Sequence, residues 1–207
     1  MPKNELYDNW WNEVGRTEQS MEDEHQHHWM KVMSMIEEKD LRELSILDFG
    51  CNQGGFLRLL YKNRPFRRGM GVDLAKSAIE IANERKDDLP ITYIATGNPR
   101  VYKEEFELAT SISVIYLITN LERHARVMHE VLKPGGVYYA TFTDYSKNPA
   151  LLEIKKCIDE HATIPMQLHS LNDIAEAFVK EGFSASIRRM QPLGYIPINV
   201  YDKWFSK

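Results

Sequence analysis

The apolar positions of the chain change period as it proceeds. Trp29, Val32, Met33 and Ile36 recur at i, i+3, i+4 and i+7, the spacing of one helix face. Ser20-Met-Glu-Asp23 just ahead of them resembles a capping box, so an amphipathic helix is expected to start near Ser20. From residue 45 short apolar runs bounded by turn residues take over. They predict strands over 45–49, 69–73, 91–95, 106–114, 137–142 and 183–190, with a seventh over 195–200. Helical spacing predicts helices over 54–62, 77–83, 121–132, 149–161 and 171–180. Strands alternating with helices imply a mostly parallel sheet covered on both faces. No helix separates the sixth and seventh strands, so the last is expected to pair antiparallel.

This pattern divides the chain into an N-terminal helical cap over residues 1–40 and an α/β domain over 41–207, with an insertion at about 144–168. The 207 residues fit one domain with length left for a cap. Composition changes little: 43% hydrophobic and 27% charged residues are ordinary for a globular chain. A net charge of −4 argues against a general nucleic-acid binder, since phosphate-backbone affinity rests on clustered Lys and Arg. Arg64, Arg67 and Arg68 form one local basic patch, with a solvated loop as the plain alternative. Cys51 and Cys157 lack zinc or redox spacing. The longest apolar stretch, 114–118, is too short to cross a membrane, and the start of the chain has no signal-peptide core. A cytoplasmic, reduced setting is expected, with the chain a monomer or homodimer.

Candidate chemistry gathers at the predicted strand ends. Asp48-x-Gly50-x-x-x-Gly54 follows the first strand, where glycines permit a sharp turn and close approach to a ligand. The helix after Gly54 offers unsatisfied amides and a positive dipole end. Asp73 ends the second strand, 19 residues beyond Gly54. A carboxylate at that distance accepts from both ribose hydroxyls and repels a 2′-phosphate. Asn98 and Ser111 stand near the ends of the third and fourth strands. Ligands of such sheets bind beyond these ends, where strand order reverses.

The segments Asp48–Gly54, Gly71-Val-Asp-Leu74, Ala95-Thr-Gly-Asn98-Pro99, Phe106-Glu-Leu-Ala-Thr-Ser111 and Leu132-Lys-Pro-Gly-Gly-Val137 together resemble the class I S-adenosylmethionine-dependent methyltransferases, small-molecule type, from about residue 45 to 143. Gly182-Phe183 extends the likeness to roughly residue 190. Asn52 departs from the family's middle glycine, and Leu117 stands where many relatives carry His. Asn98-Pro-Arg-Val-Tyr102 superficially matches the Asn-Pro-Pro-Tyr motif of amino-methylating enzymes, but follows the wrong strand and lacks the second proline.

The resemblance implies a Rossmann-like seven-stranded fold with S-adenosyl-L-methionine as cofactor and S-adenosyl-L-homocysteine as product. It implies cofactor contacts from Asp48, Gly50, Cys51, Asn52, Gly54, Phe56, Asp73, Leu74, Gly97, Asn98, Pro99, Ser111 and Ile112, with Arg16 near the cofactor carboxylate. Tyr116 is expected to face the methyl group or the acceptor. In the family's small-molecule members the N-terminal helices close over the cofactor, so Tyr7, Trp10 and Trp11 are acceptor candidates, with a hydrophobic anchor as the plain alternative. Tyr145 and His28 complete the acceptor candidates. His25, His27 and His28 are dense, but no further ligand accompanies them, so no metal is expected.

The expected function is methyl transfer to a small-molecule O, N or carboxyl acceptor, with no catalytic base named. An RNA methyltransferase and a non-catalytic cofactor binder are the alternatives. A nicotinamide oxidoreductase is disfavoured by the altered glycine pattern.

Overall fold

Ser45–Phe49 forms the central strand β1. Its residues alternate between two cores. Ile46 enters one with Val32, Met33, Phe56, Leu57 and Leu60, while Leu47 enters the other with Ala125, Met128, Val131 and Phe178. A strand buried on both faces reads as a continuous apolar run, and this one does. A computed structural model of the chain describes residues 6–12, 18–146, 148–190 and 193–195.

The flanking strands are β2 (Arg68–Asp73), β3 (Ile91–Ala95), β4 (Phe106–Ser111) and β5 (Leu132–Ala140). They pair in the order β3-β2-β1-β4-β5, every pair parallel. The helices are α1 (Glu18–Met35), α2 (Gly55–Asn63), α3 (Lys76–Arg85), α4 (Leu121–Val131), α5 (Leu151–His161) and α6 (Leu171–Lys180). Parallel crossovers are right-handed. A chain winding outward through β1, β2 and β3 therefore lays α2 and α3 on one face. Winding the other way through β4 and β5 lays α4 on the opposite face, where α6 joins it. Strand order reverses between β1 and β4, so the cleft that accepts ligands opens there.

Several expectations need correction. The sheet has five strands among the described residues, where seven were expected. Arg188–Met190 (β6) and Leu193–Tyr195 (β7) pair antiparallel with each other, in a separate two-stranded ladder. Residues 183–187 keep the apolar alternation but form no ladder, because alternation fixes which way side chains point and not which strand supplies the hydrogen bonds. Residues 196–200, expected to complete the seventh strand, lie outside the described residues.

β5 begins at Leu132, five residues early, and Leu132 pairs with Phe106. The ladder then shifts register to Leu108↔Val137, so Lys133-Pro-Gly-Gly136 bulges outward. Gly135, at φ 78°, and the exposed Pro134 suit an edge bulge, since proline donates no ladder bond. β4 ends at Ser111, three residues before its expected end, because Ser113 turns to φ 60°. α1 starts at Glu18, so Ser20 lies within its first turn and does not precede it. Only part of the expected N-terminal cap is helical, since Tyr7 and Trp11 form isolated bridges to Ala75 and Ala162. α5 lies between β5 and α6, within two residues of the helix expected over 149–161.

Candidate functional site

Three backbone positions shape the loop after β1. Gly50, Asn52 and Gly54 take left-handed φ of 76°, 48° and 74°. A side chain on Gly50 would collide with Val114, and one on Gly54 with the Tyr93 ring. Asn52 is the exception to glycine, and asparagine tolerates this region because its short amide bonds locally. Its Oδ1 accepts from the Gln53 N–H at 2.7 Å. The N–H groups of Gly50 and Cys51 donate to the Val72 carbonyl at 2.8 and 3.1 Å, which ties the loop to β2.

Asp73 meets this loop from the end of β2. Its Oδ2 accepts from the Asn52 N–H at 2.9 Å and its Oδ1 from the Ala75 N–H at 2.8 Å. Burial raises its pKa, and backbone N–H donors pull it back. A carboxylate has about four lone-pair sites, so the bonds to Asn52 and Ala75 leave capacity for ligand hydroxyls.

A cavity of about 660 Å³ opens here, within the usual range for a small-molecule site. Among the residues expected to hold the cofactor, Gly50, Cys51, Asn52, Asp73, Leu74, Gly97 and Ile112 line it. Among the acceptor candidates, Tyr7, Trp10, Trp11 and Tyr116 line it. The others form its support. Asp48 is fully buried, and Thr110 Oγ1 donates to it at 2.7 Å. Ser111 Oγ donates to the Phe49 carbonyl at 3.1 Å, and the Gly54 carbonyl accepts from Tyr93 at 2.9 Å. Phe56 packs edge-on against Trp29, and Pro99 is buried in a 3-10 turn after Asn98. Asn98 donates its N–H to Thr96 Oγ1 at 3.1 Å. Tyr145 and His28 stand off the wall, the latter with Nε2 buried and unpartnered among the described residues. Arg16 lies outside the described residues.

Burial sets the chemistry of the lining. Desolvation pushes Asp48 up to about 7 and holds the Cys51 thiol protonated. It pushes Tyr116 up to about 12, with Tyr145 adding to the shift. His124 drops to about 4 and shares a 2.8 Å hydrogen bond between Nε2 and the Tyr138 hydroxyl.

Sequence reasoning missed Glu22, Phe49, Arg123, His124 and Thr163, which also line the cavity. A signal existed for Glu22: Glu22, His25 and Trp29 recur at i, i+3 and i+7, and all three face the cavity. Glu22 Oε1 pairs with Arg58 at 2.6 Å and Oε2 with Arg85 at 3.3 Å. Arg85 also donates to Gln53 Oε1 at 2.7 Å, so α1 is clamped to the glycine loop. No local pattern marked His124 or Thr163. Their place depends on how α4 and the α5–α6 loop fold over the sheet.

The profile of the family described as "Methyltransferase domain" matches residues 21–185. Malonyl-[acyl-carrier protein] O-methyltransferase of Priestia megaterium is 25% identical over 139 residues, covering 66% of this chain and 49% of that protein. The chain thus spans about half the length of that relative. A solved S-adenosylmethionine-dependent methyltransferase from Mesorhizobium loti superposes with a TM-score of 0.65 at 20% identity, over 78% of this chain and 82% of that one. The complex of a Haloferax volcanii methyltransferase with the Trm112 methyltransferase activator gives a TM-score of 0.66 at 20% identity, over 79% of this chain and 71% of that one. The glycine cradle, the Asp73 carboxylate and the size of the cavity suit the cofactor that this family uses. The chain belongs to the methyltransferase domain family.

Proposed function

We propose that the chain methylates a small, mainly apolar acceptor bound beside the cofactor loops. One observation carries this reading: the cavity lined by Asp73 and the glycine loop is also lined by Tyr7, Trp10, Trp11, Trp29, Tyr116 and Ile164. Aromatic walls suit an apolar body and leave little for a phosphate backbone. Gly50, Asn52 and Gly97 would cradle the cofactor, and Asp73 would hold its ribose hydroxyls.

The cofactor supplies an electrophilic methyl group on a sulfonium. The acceptor would take that methyl group, with S-adenosyl-L-homocysteine as the leaving group. The residues supply alignment and exclusion of water. Of the ionisable groups on the wall, Tyr116 stays protonated, Glu22 is engaged by two arginines and His124 is a weak base, so none of these three is a ready base. This favours an acceptor already nucleophilic at neutral pH, a carboxylate above all. The relative from Priestia megaterium bears the name of an O-methyltransferase, which supports the same reading.

Calorimetry with S-adenosylmethionine, S-adenosylhomocysteine, NAD and NADP tests the cofactor site. Both sulfur ligands are expected to bind, and Asp73→Ala to weaken them by about 1–3 kcal/mol, the cost of stranding hydrogen-bond partners. Tight NAD binding with no heat from either sulfur ligand would overturn the reading. Release of S-adenosylhomocysteine across a panel of apolar acids, amines and phenols then identifies the acceptor class.

A further inference from the structure

The segment from Tyr7 to Asn12 is hydrogen-bonded at both ends to different parts of the site. At its start, Tyr7 donates its N–H to the Leu74 carbonyl at 3.1 Å, and Lys76 donates to the Tyr7 carbonyl at 2.8 Å. Ser77 completes this anchor, with its N–H on the Asp8 carbonyl at 3.2 Å and its hydroxyl within 2.5 Å of both the Asp8 carbonyl and Asn9 Oδ1. These partners lie in the turn directly after Asp73 and at the start of α3. At the other end, Thr163 donates its N–H to the Trp10 carbonyl at 2.8 Å, and Asn12 donates to the His161 carbonyl at 3.0 Å. Thr163 Oγ1 donates to the Asn9 carbonyl at 2.6 Å, and Trp11 stacks on His161 with centroids 5.5 Å apart. These partners belong to the end of α5 and the loop after it.

The segment is therefore a short, bent strap between the turn after Asp73 and the far wall of the cavity. Asn9 sits at its centre, held through its side chain by Ser77 and through its carbonyl by Thr163. Tyr7, Trp10, Trp11, Thr163 and Ile164 all line the cavity, so the strap and its second anchor together make much of the acceptor wall.

We propose that Ser77 and Thr163 are positioning residues through which cofactor binding at Asp73 builds the acceptor wall of Trp10 and Trp11. This rests on the cofactor and acceptor reading given above. A ligand on Asp73 and Leu74 stabilises the turn from which the strap hangs. The docked strap is favoured with it, and the hydrogen bonds to His161 and Thr163 tighten although they lie away from the cofactor loops. Coupling between two sites is reciprocal, so an acceptor against Trp10 and Trp11 strengthens cofactor binding by the same factor.

Hydrogen–deuterium exchange of the full chain, with and without saturating S-adenosylhomocysteine, tests this. The ligand is expected to slow exchange of the Asn12 and Thr163 amides by about fivefold or more, the lower range of such couplings. In Ser77→Ala and in Thr163→Val the ligand-dependent ratio is expected to fall below about twofold, while β1 amides keep their wild-type protection. A purely structural role would change exchange equally with and without ligand, leaving the ratio intact, and that result overturns the proposal. Heat of binding without protection at Asn12 and Thr163 also overturns it, and leaves the cofactor reading standing. No heat with either sulfur ligand overturns the cofactor reading and the proposal together.

Discussion

Asp48 and His124 bury two ionisable groups under one cavity, and their effects on stability oppose each other. His124 falls from 6.5 to about 4 through desolvation. Below pH 6.5 the unfolded chain takes up a proton that the folded chain refuses, so stability is lost as pH falls towards 4. Asp48 rises from 3.8 to about 7, again chiefly through desolvation. Its contribution is fully present below pH 3.8 and is lost as pH rises through 7. Between pH 4 and 6.5 the slopes have opposite signs, each of about 3 kcal/mol across the window. Denaturant unfolding at pH 4.5, 5.5 and 6.5 reads them separately. Asp48→Asn is expected to gain stability with rising pH, and His124→Gln to lose it. Slopes of one sign in both variants would show that burial does not control these groups. The two residues differ in legibility. Asp48 was visible as the acid before a glycine turn, yet its side chain lies behind the cavity, against Thr110. Strand period explains this, since Asp48 follows Ile46 onto one face while Phe49 follows Leu47 onto the other. His124 carried no sequence signal because its role depends on a tertiary partner, Tyr138.

α1 was legible as a core helix and not as a wall of the site. Val32, Met33 and Ile36 bury as their spacing predicts, but the neighbouring stripe of Glu22, His25 and Trp29 faces the cavity. A helix presents more than one face, and hydrophobic period reports only the one against the core. The contact between α1 and α2 is tight at Gly55. A Cβ there would stand 2.6 Å from Trp29 Cη2 and 2.7 Å from Glu22 Cδ. Alanine is favoured over glycine inside a helix by about 1 kcal/mol. Here Glu22 would have to leave Arg58 and Arg85, and Trp29 would have to leave Phe56. Gly55→Ala is therefore expected to destabilise by about 1–2 kcal/mol, as overpacking does. A raised midpoint of thermal unfolding would show that helix propensity wins and that the clamp is loose. The bulge in β5 was less legible, because Pro-Gly-Gly marks a break in regular structure without saying which element contains it.

The order β3-β2-β1-β4-β5 was implicit in alternating strands and right-handed crossovers, and it places the cleft between β1 and β4. The edge beyond β5 was not implicit, since alternation in 183–190 names no ladder partner. What the whole molecule gains from a ligand follows from the cleft alone. Asp73 on β2, the glycine loop after β1 and Ile112 after β4 belong to three adjacent strands, so one ligand bridges most of the sheet. A ligand that binds only the folded chain stabilises it by RT ln(1 + [L]/Kd), about 2.7 kcal/mol at a hundredfold excess over Kd. For a domain of this size each kcal/mol moves the thermal midpoint by about 2–4 °C. Saturating S-adenosylhomocysteine is thus expected to raise the midpoint by about 5–10 °C. NADP is expected to produce no shift, because its 2′-phosphate would meet the Asp73 carboxylate. Calorimetric scans with each ligand at matched excess check both outcomes. A shift with NADP would mean that Asp73 does not face the ribose, whereas a silent S-adenosylhomocysteine would mean that the cleft as folded does not bridge these strands through a ligand.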